Sequence, residues 1–348
     1  MSQAPAARVG DAVDAIDTPA LVIDLDAMER NLRALAAFAR ERGLRLRPHA
    51  KTHKSAAIAA LQVRAGAVGV CVQKVGEALA LADAGVDDLY VTNEVVDAAK
   101  LARLAALARR VRISIAVDSV LGVERLAAAL KAAEARAEVF VEVDVGHGRC
   151  GVAPAAAAAL AHQVIAHGLS FAGLQAYHGR AQHLRDAAER EAAIRHAAAA
   201  VRAAQAGISS AGIACPLVTG AGTGTFAFEA ASGVWGELQC GSYLFMDRDY
   251  ADNAATPGAP RFEHALFVKS QVVSRGVAHA VVDAGHKSHA IDSGLPRVWQ
   301  RALAFGNGGD EHGILTAPDH AAALPELGAT VWLVPGHCDP TVNLHDHY

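Results

Sequence analysis

Eight short β-rich runs occupy the chain up to residue 245, with helix-forming stretches, most of them rich in Ala and Leu, between them. They are LRLRPHAK (44–51), VGVCVQ (68–73), DLYVTN (88–93), RISIAVD (112–118), EVFVEVDV (138–145), LSFAGLQAYH (169–178), CPLVTG (215–220) and ELQCGSYLF (237–245). Strands that alternate with helices pair in parallel, because each helix returns the chain to the edge where the next strand starts. Eight such units are the number that closes a (β/α)8 TIM-type barrel. An open doubly wound α/β sheet is the alternative, but no G-x-G-x-x-G follows an early strand.

Past residue 250 the texture changes. ALFVKSQVVSR, HAVVDAG and TVWLVPG read as strands with no helices between them, so a C-terminal all-β domain is expected. The boundaries expected are 20–250 for the barrel and 251–348 for the β-domain, with residues 1–19 joining the latter. TPALVIDLD (18–26) is a lone apolar strand suited to the same domain. The length of 348 residues accommodates two such domains.

Charge excludes some partners. With 32 basic and 36 acidic residues the net charge is −4, which offers nothing to nucleic acid or an anionic membrane. No apolar run reaches the roughly 18 to 20 residues of a membrane span, and the N-terminus lacks the layout of a signal peptide. A cytoplasmic protein is expected. The five cysteines (71, 150, 215, 240, 338) form no C-x-x-C and read as reduced, mostly buried thiols.

Barrels of this kind collect their chemistry at the C-terminal ends of the strands. In LRLRPHAK, a period of two sets Leu44 and Leu46 against Arg45, Arg47, His49 and Lys51. A row of cations facing a dry interior requires an anion, and neighbouring cations make a lysine amine more nucleophilic. A solvated basic strand end is the plain alternative. VTGAGTGTF (218–226) is a Gly/Thr loop whose amides and hydroxyls suit a phosphate, although glycines also make ordinary turns. QCGSYLF adds a Gly-Ser pair, EVDVGHGRCG adds Arg149, and LQAYHGRAQH adds Tyr177, His178 and His183. A lysine, an anion cradle and polar groups for a ring make up what pyridoxal phosphate needs. Near the C-terminus, His337 and Asp339 flank Cys338. In an extended segment they would share a side and form half of a divalent-cation site; a surface His-x-Asp is the plain alternative.

The ordered set TPALVIDLDAMERN, RPHAKTHKS, VDVGHGRCG, AYHGRAQH, TGAGTGTF, CGSYLFMD and HCDPTVNL resembles the D-threonine aldolase and D-serine dehydratase group. These are fold type III pyridoxal phosphate enzymes, distantly related to alanine racemase. The resemblance implies a barrel plus a β-domain, a homodimer and Lys51 as the Schiff-base lysine. It implies that Arg149 bonds the cofactor's phenolic oxygen, and that Thr223, Gly224, Gly241 and Ser242 hold the phosphate beside Tyr243. Gln73 and Tyr177 would lie near the ring, His183 would act as base, and His337 with Asp339 would bind the metal. Gln239 occupies the position where racemases place an arginine opposite the pyridine nitrogen, which argues against racemase chemistry. His plus carboxylate accommodates Mn2+ first, with Co2+, Mg2+ or Zn2+ possible, whereas a cysteine at 339 would favour zinc. The implied reaction is retro-aldol cleavage of a D-β-hydroxy-α-amino acid. The rivals are a D-serine or D-threo-3-hydroxyaspartate dehydratase, and a non-catalytic pyridoxal phosphate protein.

Overall fold

The computed structural model describes residues 7–318 and 323–348. It divides into two compact units. One comprises Leu32–Gly241 with Asn253–Arg261; the other comprises Met1–Asn31, Ser242–Asp252 and Phe262–Tyr348.

After β1 (Ala20–Ile23), the first unit contains eight parallel strands: β2 (Arg45–Leu46), β3 (Val70–Val72), β4 (Asp88–Val91), β5 (Arg112–Val117), β6 (Glu138–Glu142), β7 (Ser170–Ala176), β8 (Val218–Gly220) and β9 (Glu237–Leu238). Each falls inside one of the eight β-rich runs. The strand order is β2-β9-β8-β7-β6-β5-β4-β3. The two ends meet through Val68 N–H to the Leu46 carbonyl (2.9 Å), Cys71 N–H to the Pro48 carbonyl (2.8 Å) and a parallel bridge between His49 and Cys71. The sheet therefore closes into a barrel and leaves no free edge.

The main core lies between strands and surrounding helices, where Val70, Leu89, Ile115, Val139 and Leu174 meet Leu101, Leu126, Val164 and Val201. A smaller apolar cluster of Cys71, Tyr90, Ala116 and Phe140 fills part of the interior. The helices start where their sequences supply caps: Ser55, Asp97, Ser119 and Asp186 each accept a backbone N–H of the first turn.

The second unit is antiparallel. Its strands are β10 (Leu266–Arg275), β11 (His279–Val282), β12 (Arg297–Val298), β13 (Ala304–Asn307), β14 (Gly313–Thr316) and β15 (Thr330–Val334), in the order β12-β15-β10-β11-β14-β13. β1 pairs with β10, Ala20 opposite Lys269.

Two expectations need correction. First, β2 ends at Leu46, and Lys51 sits in a 3-10 turn, Ala50–Thr52, so strand periodicity does not place it. Pro48 lacks an amide hydrogen and interrupts the ladder there. Second, His337 is extended, but Cys338–Val342 forms a short helix, so His337 and Asp339 do not share one face of a strand. Pro340 falls in the first helical turn, where a missing N–H costs nothing.

Candidate active site on the barrel rim and a candidate metal pair

The cation row on β2 meets its anion inside the protein. The Arg45 guanidinium lies 3.0 Å from the Glu237 carboxylate, and the Arg47 guanidinium 3.3 Å from it; Arg47 also pairs with Asp88. Burial works against the Arg47 charge, but Glu237 and Asp88 outweigh it and raise its pKa. Glu237 continues into a neutral network. Thr219 Oγ1 donates to it (2.8 Å), Gln239 Nε2 donates to Thr219 (2.8 Å), and the Gln239 and Gln175 amides pair reciprocally at 2.9 and 3.1 Å. The Tyr90 hydroxyl closes the chain onto Gln175 (2.9 Å). Gln239 is thus fixed by neutral partners, with no cation beside it in the network.

Beyond these layers lies the rim. His49 holds the lysine turn: its Nδ1 accepts the Lys51 backbone N–H (3.4 Å), and its Nε2 lies 3.1 Å from Thr92 Oγ1 and 3.0 Å from Gln73 Nε2. The side chain of Thr52, the next residue after Lys51, is wholly buried and its Oγ1 has no hydrogen-bond partner among the described residues. That hydroxyl faces Gly241, where an added Cβ would come within 2.4 Å of it. Glycine is therefore required at 241 for the two segments to approach.

Arg149 and Tyr177 follow β6 and β7. Arg149 is half exposed, with its guanidinium 5.5 Å above the Tyr177 ring and 3.9 Å from Glu142. Glu142 is buried, and burial together with the neighbouring Glu94 raises its pKa to about 9. Asp144 accepts the amides of Gly146 (2.9 Å) and Gly148 (3.0 Å), which shapes the turn carrying Arg149. Glu94, Asp118 and Cys150 lie nearby, with one donor atom from each all within 4.8 Å of one another. His183 is exposed at the end of a 3-10 turn, Gly179–His183. Thr223 is buried in the loop after β8, and the Gly224 N–H donates to Gln182 Oε1 (2.9 Å).

The second unit holds the remaining candidates. Ser242 is buried and its hydroxyl donates to Asp339 (3.3 Å). Tyr243 is buried, edge-on to Phe262 at 5.6 Å. His337 Nδ1 lies 2.8 Å from the buried Asp247 carboxylate, which also accepts the backbone N–H of Cys338 (2.9 Å) and of Tyr250 (3.0 Å). Burial opposes a charge on His337, but the bond to Asp247 and the nearby Asp339 raise its pKa to about 9. Asp247 was not singled out in the sequence, where it is one of several acids in MDRDYAD. The only hint was its place two residues after the apolar YLF run. His345 Nε2 lies 2.8 Å from the Ser288 carbonyl.

The chain resembles known proteins over nearly its whole length. Residues 23–249 match the alanine racemase N-terminal domain family, and residues 265–348 match a putative serine dehydratase domain. A D-threonine aldolase of Arthrobacter sp is 46% identical over 346 residues, spanning 98% of this chain and 91% of that protein. A 3-hydroxy-D-aspartate aldolase of Paracoccus denitrificans is 42% identical over 350 residues, spanning 96% and 88%. The crystal structure of D-threonine aldolase from Filomicrobium marinum superposes with a TM-score of 0.95 at 48% identity, covering 98% of this chain and 93% of that one. The D-threo-3-hydroxyaspartate dehydratase of Delftia sp. gives 0.85 at 28% identity, covering 96% and 94%.

Proposed function

The chain belongs to the D-threonine aldolase family of alanine racemase-like, fold type III enzymes, and from that premise we propose a lyase that cleaves D-β-hydroxy-α-amino acids, D-threonine giving glycine and acetaldehyde. The observation that carries the cofactor assignment is the Thr52 hydroxyl. It is buried without a partner among the described residues, one residue from Lys51 and against a glycine that leaves room for a close approach. A buried unpaired hydroxyl calls for an acceptor, and a cofactor phosphate supplies one. Lys51 would bond the cofactor covalently. Thr223, Gly224, Gly241 and Ser242 would surround its phosphate beside Tyr243, with Arg149, Gln73 and Tyr177 near the ring.

The donor set at the β-domain pair fits a divalent cation. Asp247 takes the Nδ1 side of His337, which would leave Nε2 as the ligand atom, and Asp339 would add a carboxylate. Imidazole with carboxylate suits Mn2+.

Pyridoxal phosphate would supply an electron sink for cleavage of Cα–Cβ, and a cation held by His337 and Asp339 would supply Lewis acidity for the β-hydroxyl. The chain's own residues handle the rest. His183 would take the β-hydroxyl proton as general base. The Lys51 amine would return a proton to Cα. Gln239, held by neutral amide and hydroxyl partners, would offer a bound cofactor ring no positive charge, which disfavours racemase chemistry. The family reading also carries a homodimer, testable by sedimentation.

The deciding experiment is incubation with D-threonine, pyridoxal phosphate and Mn2+. Acetaldehyde and glycine in equal amounts are expected. Formation of 2-oxobutanoate and ammonia without aldehyde would overturn the proposal in favour of a dehydratase.

A further inference from the structure

Gln182 precedes the candidate base His183, and its side chain is wholly buried. Its Oε1 accepts the Gly224 N–H (2.9 Å), and its Nε2 donates to Thr225 Oγ1 (2.7 Å) and to the His178 carbonyl (3.2 Å). Its backbone carbonyl accepts from Asn253 Nδ2 (2.9 Å). The Gly/Thr loop is built around this residue. A Cβ on Gly222 would come within 2.5 Å of Gln182 Oε1, and one on Gly224 within 2.3 Å of the Gln182 carbonyl oxygen. Thr225 in turn lies 2.7 Å from the buried Glu229 carboxyl. Since Thr225 Oγ1 accepts from Gln182, its own hydrogen is available to Glu229. The loop that follows β8 and the turn that follows β7 are thereby joined through one amide.

We propose that Gln182 is a positioning residue that fixes the phosphate-binding loop and the base-bearing turn as a single unit, so that cofactor affinity and proton transfer depend on the same side chain. The inference rests on the aldolase reading, in which the loop serves the phosphate and His183 serves the β-hydroxyl. An amide suits the task because it accepts and donates at once. A carboxylate at 182 still accepts from Gly224 but donates to Thr225 only while protonated.

Two variants test this. Gln182→Met keeps the volume but removes the donor and the strong acceptor. It is expected to weaken pyridoxal phosphate binding and to lower kcat, each by on the order of tenfold, as for a lost buried hydrogen bond, with KM changed less. It is also expected to speed hydrogen exchange at the Gly224 amide in the cofactor-free protein. Gln182→Glu is expected to approach the parent's cofactor affinity at pH 6 and to fall away by pH 9 more steeply than the parent, whose own dependence accounts for Glu229, His178 and His183. Exchange at Gly224 identical in parent and Gln182→Met would overturn the inference, as would parent-like affinity and kcat in either variant at every pH. Should Gln182→Met fail to fold, the Gln182→Glu pH dependence decides alone. A parent that never binds pyridoxal phosphate would sink the aldolase reading, while Gly224 exchange still reports on the strut.

Discussion

The two units hold their candidate residues in opposite ways. On the barrel rim each has a support of its own: the His49–Thr92–Gln73 group for Lys51, a turn shaped on Asp144 for Arg149, and Gln182 for the Gly/Thr loop. In the β-rich unit one buried carboxylate, Asp247, takes three hydrogen bonds from the segments bearing His337, Cys338 and Tyr250. Separate supports fail one at a time, whereas a shared support fails all at once.

Substitutions that break one unit while leaving the other intact test that contrast. The largest effect belongs to Lys51→Ala. It should abolish both the visible absorbance of bound cofactor and aldehyde release, while Mn2+ binding measured by electron paramagnetic resonance stays unchanged. Asp247→Asn should weaken Mn2+ affinity about 10- to 100-fold, as loss of a ligand-orienting partner does, with the cofactor absorbance retained. Gly241→Ala drives a Cβ to within 2.4 Å of the Thr52 hydroxyl. It should raise the pyridoxal phosphate Kd about tenfold, equivalent to roughly 1.4 kcal/mol, seen by spectrophotometric titration. The smallest effect concerns the support beneath the loop. Burial pushes the Glu229 carboxyl up to about 8 from an ordinary 4.5, while its hydrogen bond to Thr225 pulls the other way. The folded chain therefore keeps that proton when the unfolded chain has lost it, and the stability this contributes is fully present below about 4.5 and drains away as pH rises to 8. Thermal unfolding of Glu229→Gln should accordingly show Tm shifting in the variant's favour, relative to the parent, between pH 5 and pH 8. Glu142 titrates with the same sign in both proteins and cancels in the difference.

The strands were legible because each is a compact β-rich run separated from the next by a long helix-forming stretch, a pattern set by local sequence. The anion facing Arg47 was not, because Glu237 lies 190 positions away and only barrel closure brings them together. What looked like a call for a bound anion turned out to be an internal ion pair. The candidate residues around Lys51, Arg149 and the Gly/Thr loop were readable as motifs, but their supports were not. Gln182 and Asp247 are ordinary polar letters until the fold supplies their partners. At the C-terminus the signal was present and misread: a proline two residues after Cys338 fits a first helical turn as well as a stiff extended bend.

The seam of the barrel has a consequence for how the protein comes into being. β2 pairs with β9, Arg45 opposite Glu237, and the bridge between His49 and Cys71 completes the ring one turn before Lys51. The first of these contacts joins distant parts of the chain, and contacts of that kind carry the greatest loop-closure cost and form slowly. The lysine's geometry is therefore a late product of folding. A nascent or partly unfolded chain has its helices and local strand pairs before it has a defined amine, so the reactive group is assembled only in molecules whose barrel has closed.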